Sequence, residues 1–248
     1  MNRLRSLLDS ARHRWHWFPE IEVLVAVLGV VGTAWIFFVL AEEVVEGDTQ
    51  RFDDWVVSAL RDPENPRMPR GPHWLTEVGR DITSLGGPTV ITLVVAATAA
   101  YLILRGKSHA VWLMLLAVVS GVIISTVLKQ VIGRERPPAG SDLTEVITFS
   151  FPSGHSMLSA VAYLVLGAML ARTESQRSVR LFFMATALLL TMLVGLSRVY
   201  LGVHYPSDVL GGWTAGLCWA IVWWITARVL QRRGTVEGTS TTTEDLPK

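Results

Sequence analysis

The chain holds one cysteine, Cys218, among 248 residues, so it can form no internal disulfide. Cys218 falls inside an apolar stretch and is expected to be a small core residue. Charge is scarce as well: 17% of residues are Asp, Glu, Lys or Arg, half are hydrophobic, and the mean hydropathy is positive. That balance is too apolar for a water-soluble domain. No internal repeat is evident. An A-x-A cleavage pattern is missing after the first apolar run, which also exceeds the roughly 7 to 15 residues of a signal peptide, so the run is expected to remain as a membrane anchor. A net charge of +1 points to no particular partner, and no nucleic acid is expected.

Apolar windows of spanning length recur six times, over 23–41, 82–104, 108–128, 146–171, 181–197 and 209–227. A hydrocarbon core about 30 Å thick needs roughly 20 helical residues, with about 17 as the lower limit. The fold expected is therefore all-α, a polytopic membrane protein with six transmembrane helices. Basic residues occupy alternate connections: Arg3, Arg5, Arg12 and Arg14; Arg105 and Lys107; Arg172, Arg177 and Arg180; Arg232 and Arg233. By the positive-inside rule these segments, and both termini, are cytoplasmic. The first external loop, 42–87, carries ten acidic residues against five Arg, in keeping with that orientation. The organisation expected is a basic N-terminal segment over 1–20, a membrane domain over 21–230, and a polar, aperiodic, disordered cytoplasmic tail over 231–248. Within the external loop, Phe52, Trp55, Val56, Ala59 and Leu60 recur at helical spacing, as do Trp74, Leu75, Val78, Ile82 and Leu85. Two short amphipathic helices are expected, lying on the outer membrane surface or folding over a site.

Parity brings distant residues together. Lys129 ends the third span, the run Pro152-Ser153-Gly154-His155 opens the fourth, Ser197 and Arg198 end the fifth, and His204 precedes the sixth. Each of these points follows an odd number of crossings, so all four lie at the external end. Ionisable groups near membrane depth are costly and mark function by default. Lys129, Arg136 and Arg198 supply N–H donors and no acceptor, which suits a dense anion such as phosphate. If Pro152 stands in the first turn of its helix, the N–H groups of Ser153, Gly154 and His155 add the positive end of the helix dipole. His204 precedes Asp208 by four residues, a spacing that lets the carboxylate hold Nδ1–H and leave Nε2 basic. Taken singly, each feature has a plainer origin: a helix cap, an interfacial His, or cations anchored at the membrane surface. External anchoring Arg, however, runs against the positive-inside bias, and six such groups converge. His155, His204 and Asp208 are the residue types of a facial metal triad, but three adjacent cations oppose a divalent ion, and no metal is expected.

The pattern is Lys129, six intervening residues, Arg136-Pro137; Pro152-Ser153-Gly154-His155; and Ser197-Arg198, five residues, His204, three residues, Asp208. It resembles the three-part signature of the type-2 phosphatidic acid phosphatase superfamily, complete and in order. The resemblance implies a lipid phosphatase that needs no cofactor. His204 would be the nucleophile that forms a phosphohistidine, Asp208 its orienting partner, and His155 the acid and later the base. Lys129, Arg136, Ser153, Gly154 and Arg198 would hold the phosphoryl oxygens. Soluble vanadate-dependent haloperoxidases share the anion site, and six apolar spans argue against them. Bacterial members of the superfamily act on undecaprenyl diphosphate, phosphatidylglycerophosphate, phosphatidic acid or lipid A. The expectation is a phosphohydrolase of undecaprenyl diphosphate or phosphatidylglycerophosphate, the former favoured, in the inner membrane, with its site on the periplasmic face and its substrate in the bilayer. A phosphotransferase using the same site, or a non-catalytic lipid transporter, is the alternative.

Overall fold

The fold is known from a computed structural model that describes residues 18–138 and 148–232. Expectations for the basic segment before Phe18 and for the tail after Arg232 fall outside the described residues. Eight helices follow one another: α1 (Phe18–Glu46), α2 (Gln50–Ala59), α3 (His73–Ser84), α4 (Pro88–Leu104), α5 (Ser108–Ile132), α6 (Gly154–Thr173), α7 (Arg177–Tyr200) and α8 (Pro206–Arg232). No β-sheet occurs among the described residues. Five of these helices are long and apolar enough to cross a membrane, and the bent pair of α3 and α4 makes a sixth span if taken together.

Helix α6 lies at the centre, packed against α5, α7 and α8. Its sequence is rich in Ser, Ala and Gly, and side chains from Ser156 to Ala171 are buried along it. In lipid there is no hydrophobic drive between helices, so small residues that admit close backbone approach take over. Gly212 and Gly216 of α8 do this against α6, where an added Cβ would lie 2.6 Å from the Ser153 carbonyl oxygen and 2.6 Å from the Ala160 Cβ. Helix α1 is the opposite case. It packs along α8, while Leu24, Leu28, Val31 and Trp35 are each more than half exposed, forming a lipid-facing apolar band.

Several boundaries differ from those expected. The window over 82–104 is not one helix: α3 and α4 meet at 46° across Leu85 to Gly87. The run Gly86-Gly87-Pro88 explains the break, because Pro88 can occupy only the first turn of α4 and the Val194 side chain fills the space a Cβ on Gly86 would need. Tyr163 of α6 holds the break by donating to the Leu85 carbonyl oxygen at 2.6 Å. The window over 146–171 also starts too early. Residues 148–153 are not helical, and α6 begins at Gly154. The marginal window over 181–197 proves longer, since α7 runs 24 residues.

The two loop helices form, and each turns its largest apolar side chains away from the bundle. In α2, Phe52 and Trp55 are 55% and 67% exposed, while Asp53 and Val57 are buried. In α3, Trp74 and Val78 are exposed, while Thr76 and Gly79 are buried against the end of α7. Both helices therefore dock on the bundle through their more polar sides. Cys218 is half-buried rather than in the core, with Sγ 3.8 Å from the Val30 carbonyl oxygen of α1.

Candidate active site

Helix ends place the polar groups. Helix α5 stops at Gly133, whose φ of +66° lies in the left-handed region that glycine enters without strain. Lys129 lies in the last turn of α5, and the turned chain carries Arg134 and Arg136 back over the bundle. Helix α6 contributes its N-terminus, α7 its C-terminal Arg198, and α8 its first turn with Asp208. Residues expected to act together therefore meet at one end of the bundle.

The centre of the site is His204, 1% exposed in the short connection between α7 and α8. Its Nδ1 faces the Asp208 carboxylate at 3.4 Å and the Ser150 hydroxyl at 3.2 Å. Its Nε2 lies 3.1 Å from Nη1 of Arg136, which can only donate. An imidazole facing a carboxylate on one side and a guanidinium on the other carries its proton on Nδ1 and a lone pair on Nε2. Burial, then the cations Arg198, Arg136 and Lys129, then His155, push the His204 imidazole well below its ordinary value. This surrounding favours the neutral ring.

Asp208 is fixed by the start of its own helix. One carboxylate oxygen accepts from the Tyr205 backbone N–H at 2.8 Å, the reach-back of a capping box, and from the Ser150 hydroxyl. The other oxygen accepts from Arg134 at 2.9 Å. Arg134 in turn donates to Asp53 of α2 at 2.7 Å and to Gln50 at 3.0 Å, and it stacks over the Tyr205 ring at 4.3 Å. The sequence motif contains none of Arg134, Ser150 and Asp53.

Among the described residues, the remaining cations of the site pair with no carboxylate. Lys129 donates to the carbonyl oxygens of Phe149 and Ser150 at 2.8 and 3.3 Å. Arg136 donates to the carbonyl oxygens of Thr148 and Val203 at 2.7 and 2.8 Å. Arg198 is 3% exposed; it donates to the Thr83 hydroxyl at 3.1 Å, and its buried Nε finds no acceptor among the described residues. Three cations gathered without a counter-ion among the described residues, one of them with an unpartnered buried donor, suit an anion.

The helix N-terminus differs in detail from the reading of Pro152 as a first-turn residue. Ser153 is the N-cap, and Pro152 precedes it. The Ser153 N–H donates to the Asp208 carbonyl oxygen at 2.8 Å, and its hydroxyl accepts from the Ser156 N–H and hydroxyl. Gly154 and His155 are then the first-turn positions whose N–H groups lack an intrahelical partner. Gly154 sits against Lys129, where a Cβ would lie 3.3 Å from the Lys129 Cε. His155 points toward the break between α3 and α4, its Nε2 lying 3.7 Å from where a Cβ on Gly87 would be. Beside Lys129 and Gly154 a groove of about 370 Å³ opens between α5 and α6, lined by Val122, Ser125, Phe149 and Leu158 among others.

Known proteins resemble this chain in sequence and in fold. Residues 110–232 match the PAP2 superfamily. The chain is 34% identical over 187 residues to phosphatidylglycerophosphatase B of Bacillus subtilis, covering 73% of this chain and 86% of the relative. The chain belongs to the PAP2 superfamily. It is an integral membrane lipid phosphatase, close to phosphatidylglycerophosphatase. A crystal structure of the transmembrane PAP2-type phosphatidylglycerolphosphate phosphatase of Bacillus subtilis superposes with a TM-score of 0.72 at 30% identity, covering 82% of this chain and 98% of the other. An undecaprenyl-diphosphatase of Sulfolobus acidocaldarius is 27% identical over 49% of this chain and 57% of its own. A lipid A 1-phosphatase of Rhizobium johnstonii is 30% identical over 59% of this chain and 62% of its own. The PAP2 match contains every motif residue from Lys129 to Asp208 and leaves α2, with Asp53, outside it.

Proposed function

We propose that this PAP2 protein hydrolyses a lipid phosphate or diphosphate through a phosphohistidine on His204, with phosphatidylglycerophosphate and undecaprenyl diphosphate as its substrates. The observation that carries the reading is the line from Asp208 through His204 to Arg136, which leaves the Nε2 lone pair aimed at a cluster of uncompensated cations. The phosphoryl group sits among Lys129, Arg136, Arg198 and the first-turn N–H groups of α6, with Ser153 and Gly154 shaping that turn. Nε2 attacks phosphorus as the phosphorus–oxygen ester bond breaks, and the leaving oxygen takes a proton from His155. Water then attacks the phosphohistidine and loses its proton to His155. The nitrogen–phosphorus bond breaks, and phosphate leaves with both imidazoles restored. The cations neutralise charge that grows on the equatorial oxygens in each transition state. The donor set suits no metal, because Asp208 already serves His204 and Arg134 while Nε2 faces a guanidinium.

The groove between α5 and α6 supports a lipid substrate, since it runs from Lys129 along Val122 and Leu158 on two helices long and apolar enough to cross a membrane. Basic residues in the alternate connections support a site on the periplasmic side of the inner membrane, with 21–230 as the phosphatase domain and the two terminal segments cytoplasmic. The relatives named phosphatidylglycerophosphatase and undecaprenyl-diphosphatase support the two lipids chosen. The test is phosphate release by purified protein in excess chelator from phosphatidylglycerophosphate, undecaprenyl diphosphate, phosphatidic acid and lipid A. Rapid release from either of the first two supports the assignment. Release from lipid A alone overturns the substrate, and labelled phosphate passing to a second lipid without release overturns hydrolysis in favour of phosphotransfer.

A further inference from the structure

The loop helix α2 reaches the catalytic carboxylate through a buried chain of charges. Asp53 is fully buried, and its carboxylate accepts from Arg134 at 2.7 Å, from the Ser207 N–H at 3.1 Å and from the Ser207 hydroxyl. Arg134 spans the gap, donating through its other nitrogen to Ser207 at 2.6 Å and to Asp208 at 2.9 Å. A buried carboxylate on a short surface helix is costly unless it is paired. Here its partner is the arginine that holds Asp208, and Asp208 holds His204. Anchoring α2 alone would not need a partner shared with the site.

We propose that Arg134 and Asp53 are positioning residues for His204: the Asp53–Arg134–Asp208 chain makes the docking of α2 a condition for an oriented nucleophile. The inference rests on His204 being that nucleophile. Arg134 draws part of the Asp208 charge away from the imidazole, and Asp53 in turn neutralises Arg134. Asp208 thereby orients His204 without raising its basicity to the point of protonation. The other charged and titratable groups facing His204 are Lys129 from α5, Arg136 from the connection after it, His155 from α6 and Arg198 from α7. All of these keep it neutral.

The test compares Asp53→Asn, Arg134→Gln and Arg134→Lys with wild type in the full-length protein, reading kcat, KM and the pH profile. The histidine titration is followed by nitrogen-15 NMR, with His204→Asn identifying the resonance. Arg134→Gln removes a cation, so the acid limb and the His204 titration should rise by on the order of one pH unit. Asp53→Asn should lower kcat roughly tenfold or more with KM nearly unchanged and no upward shift, because orientation and not binding is lost. Arg134→Lys should keep the wild-type titration. A purely structural anchor would give a lower thermal midpoint for Asp53→Asn with unchanged kcat per folded molecule and an unchanged His204 signal, and that result overturns the proposal. If Arg134→Gln does not fold, Asp53→Asn and Arg134→Lys still decide it. Absence of turnover by wild type on every lipid would refute the phosphatase reading instead, while the NMR titration would still report on the charge chain.

Discussion

Arg134 and Arg136 stand two positions apart, both within reach of the His204–Asp208 pair, and they do opposite work. Arg134 meets two carboxylates, Asp53 and Asp208, and is saturated. Arg136 meets carbonyl oxygens and the His204 Nε2, and no carboxylate pairs with it among the described residues. The difference separates two regions of one site. On the side of α2 and the start of α8, charges cancel and geometry is held. Toward α5, α6 and α7, positive charge is left unbalanced for a ligand to complete. A buried arginine paired with two carboxylates is held in place by them, whereas one without a counter-ion retains its charge for an anion.

The contrast can be tested by removing one side at a time. Asp208→Asn strikes both regions, since it removes the carboxylate that orients His204 and a partner of Arg134; phosphate release should fall about 10⁴-fold. Arg136→Met should lower the turnover of a lipid monoester by roughly 10²- to 10³-fold while leaving thermal stability unchanged or improved, because it removes an uncompensated charge. Arg134→Met should do the reverse in stability, costing about 3–5 kcal/mol by stranding Asp53 and Asp208, as measured by thermal or denaturant unfolding in detergent. Equal stability losses for the two arginines would erase the distinction. His155→Ala should cost about 10²-fold or more on an alkyl phosphate and much less on an activated aryl phosphate, whose leaving group needs no proton. The smallest effect is in pH. Because burial and neighbouring cations hold His204 below its ordinary value, it stays neutral as pH falls through about 6.5, so the acid limb of kcat/KM should lie below that point. An acid limb at or above pH 6.5 would mean that His204 is not held in this way.

The motif residues were legible because each lies where a span ends, and the parity of crossings alone gathers helix ends. Lys129, Arg136, Arg198, His204 and Asp208 could be placed together without coordinates. The α2 contribution was hidden because helical periodicity reports the apolar side chains and not the polar ones between them. Phe52 and Trp55 drew attention to the apolar face of α2, whereas the face turned to the bundle carries half-buried Gln50 and buried Asp53 and Val57, set three and four residues apart. A carboxylate on that face was the available signal, together with a second arginine, Arg134, inside the Gly133-to-Pro137 turn that the motif does not use. The start of α6 was misplaced for a different reason. Hydropathy registers Phe149 and Phe151 as part of a span, whereas the chain there stays non-helical to supply carbonyl oxygens to Lys129 and Arg136.

The most direct measurement is to trap the enzyme after brief exposure to phosphorus-32-labelled lipid phosphate in excess chelator and to assay the denatured chain for bound label. A phosphohistidine on Nε2 of His204 predicts label that survives alkali, is released by acid, and is absent from His204→Asn. Label that persists in His204→Asn, or resists acid as a phosphoserine would, contradicts His204 as the nucleophile.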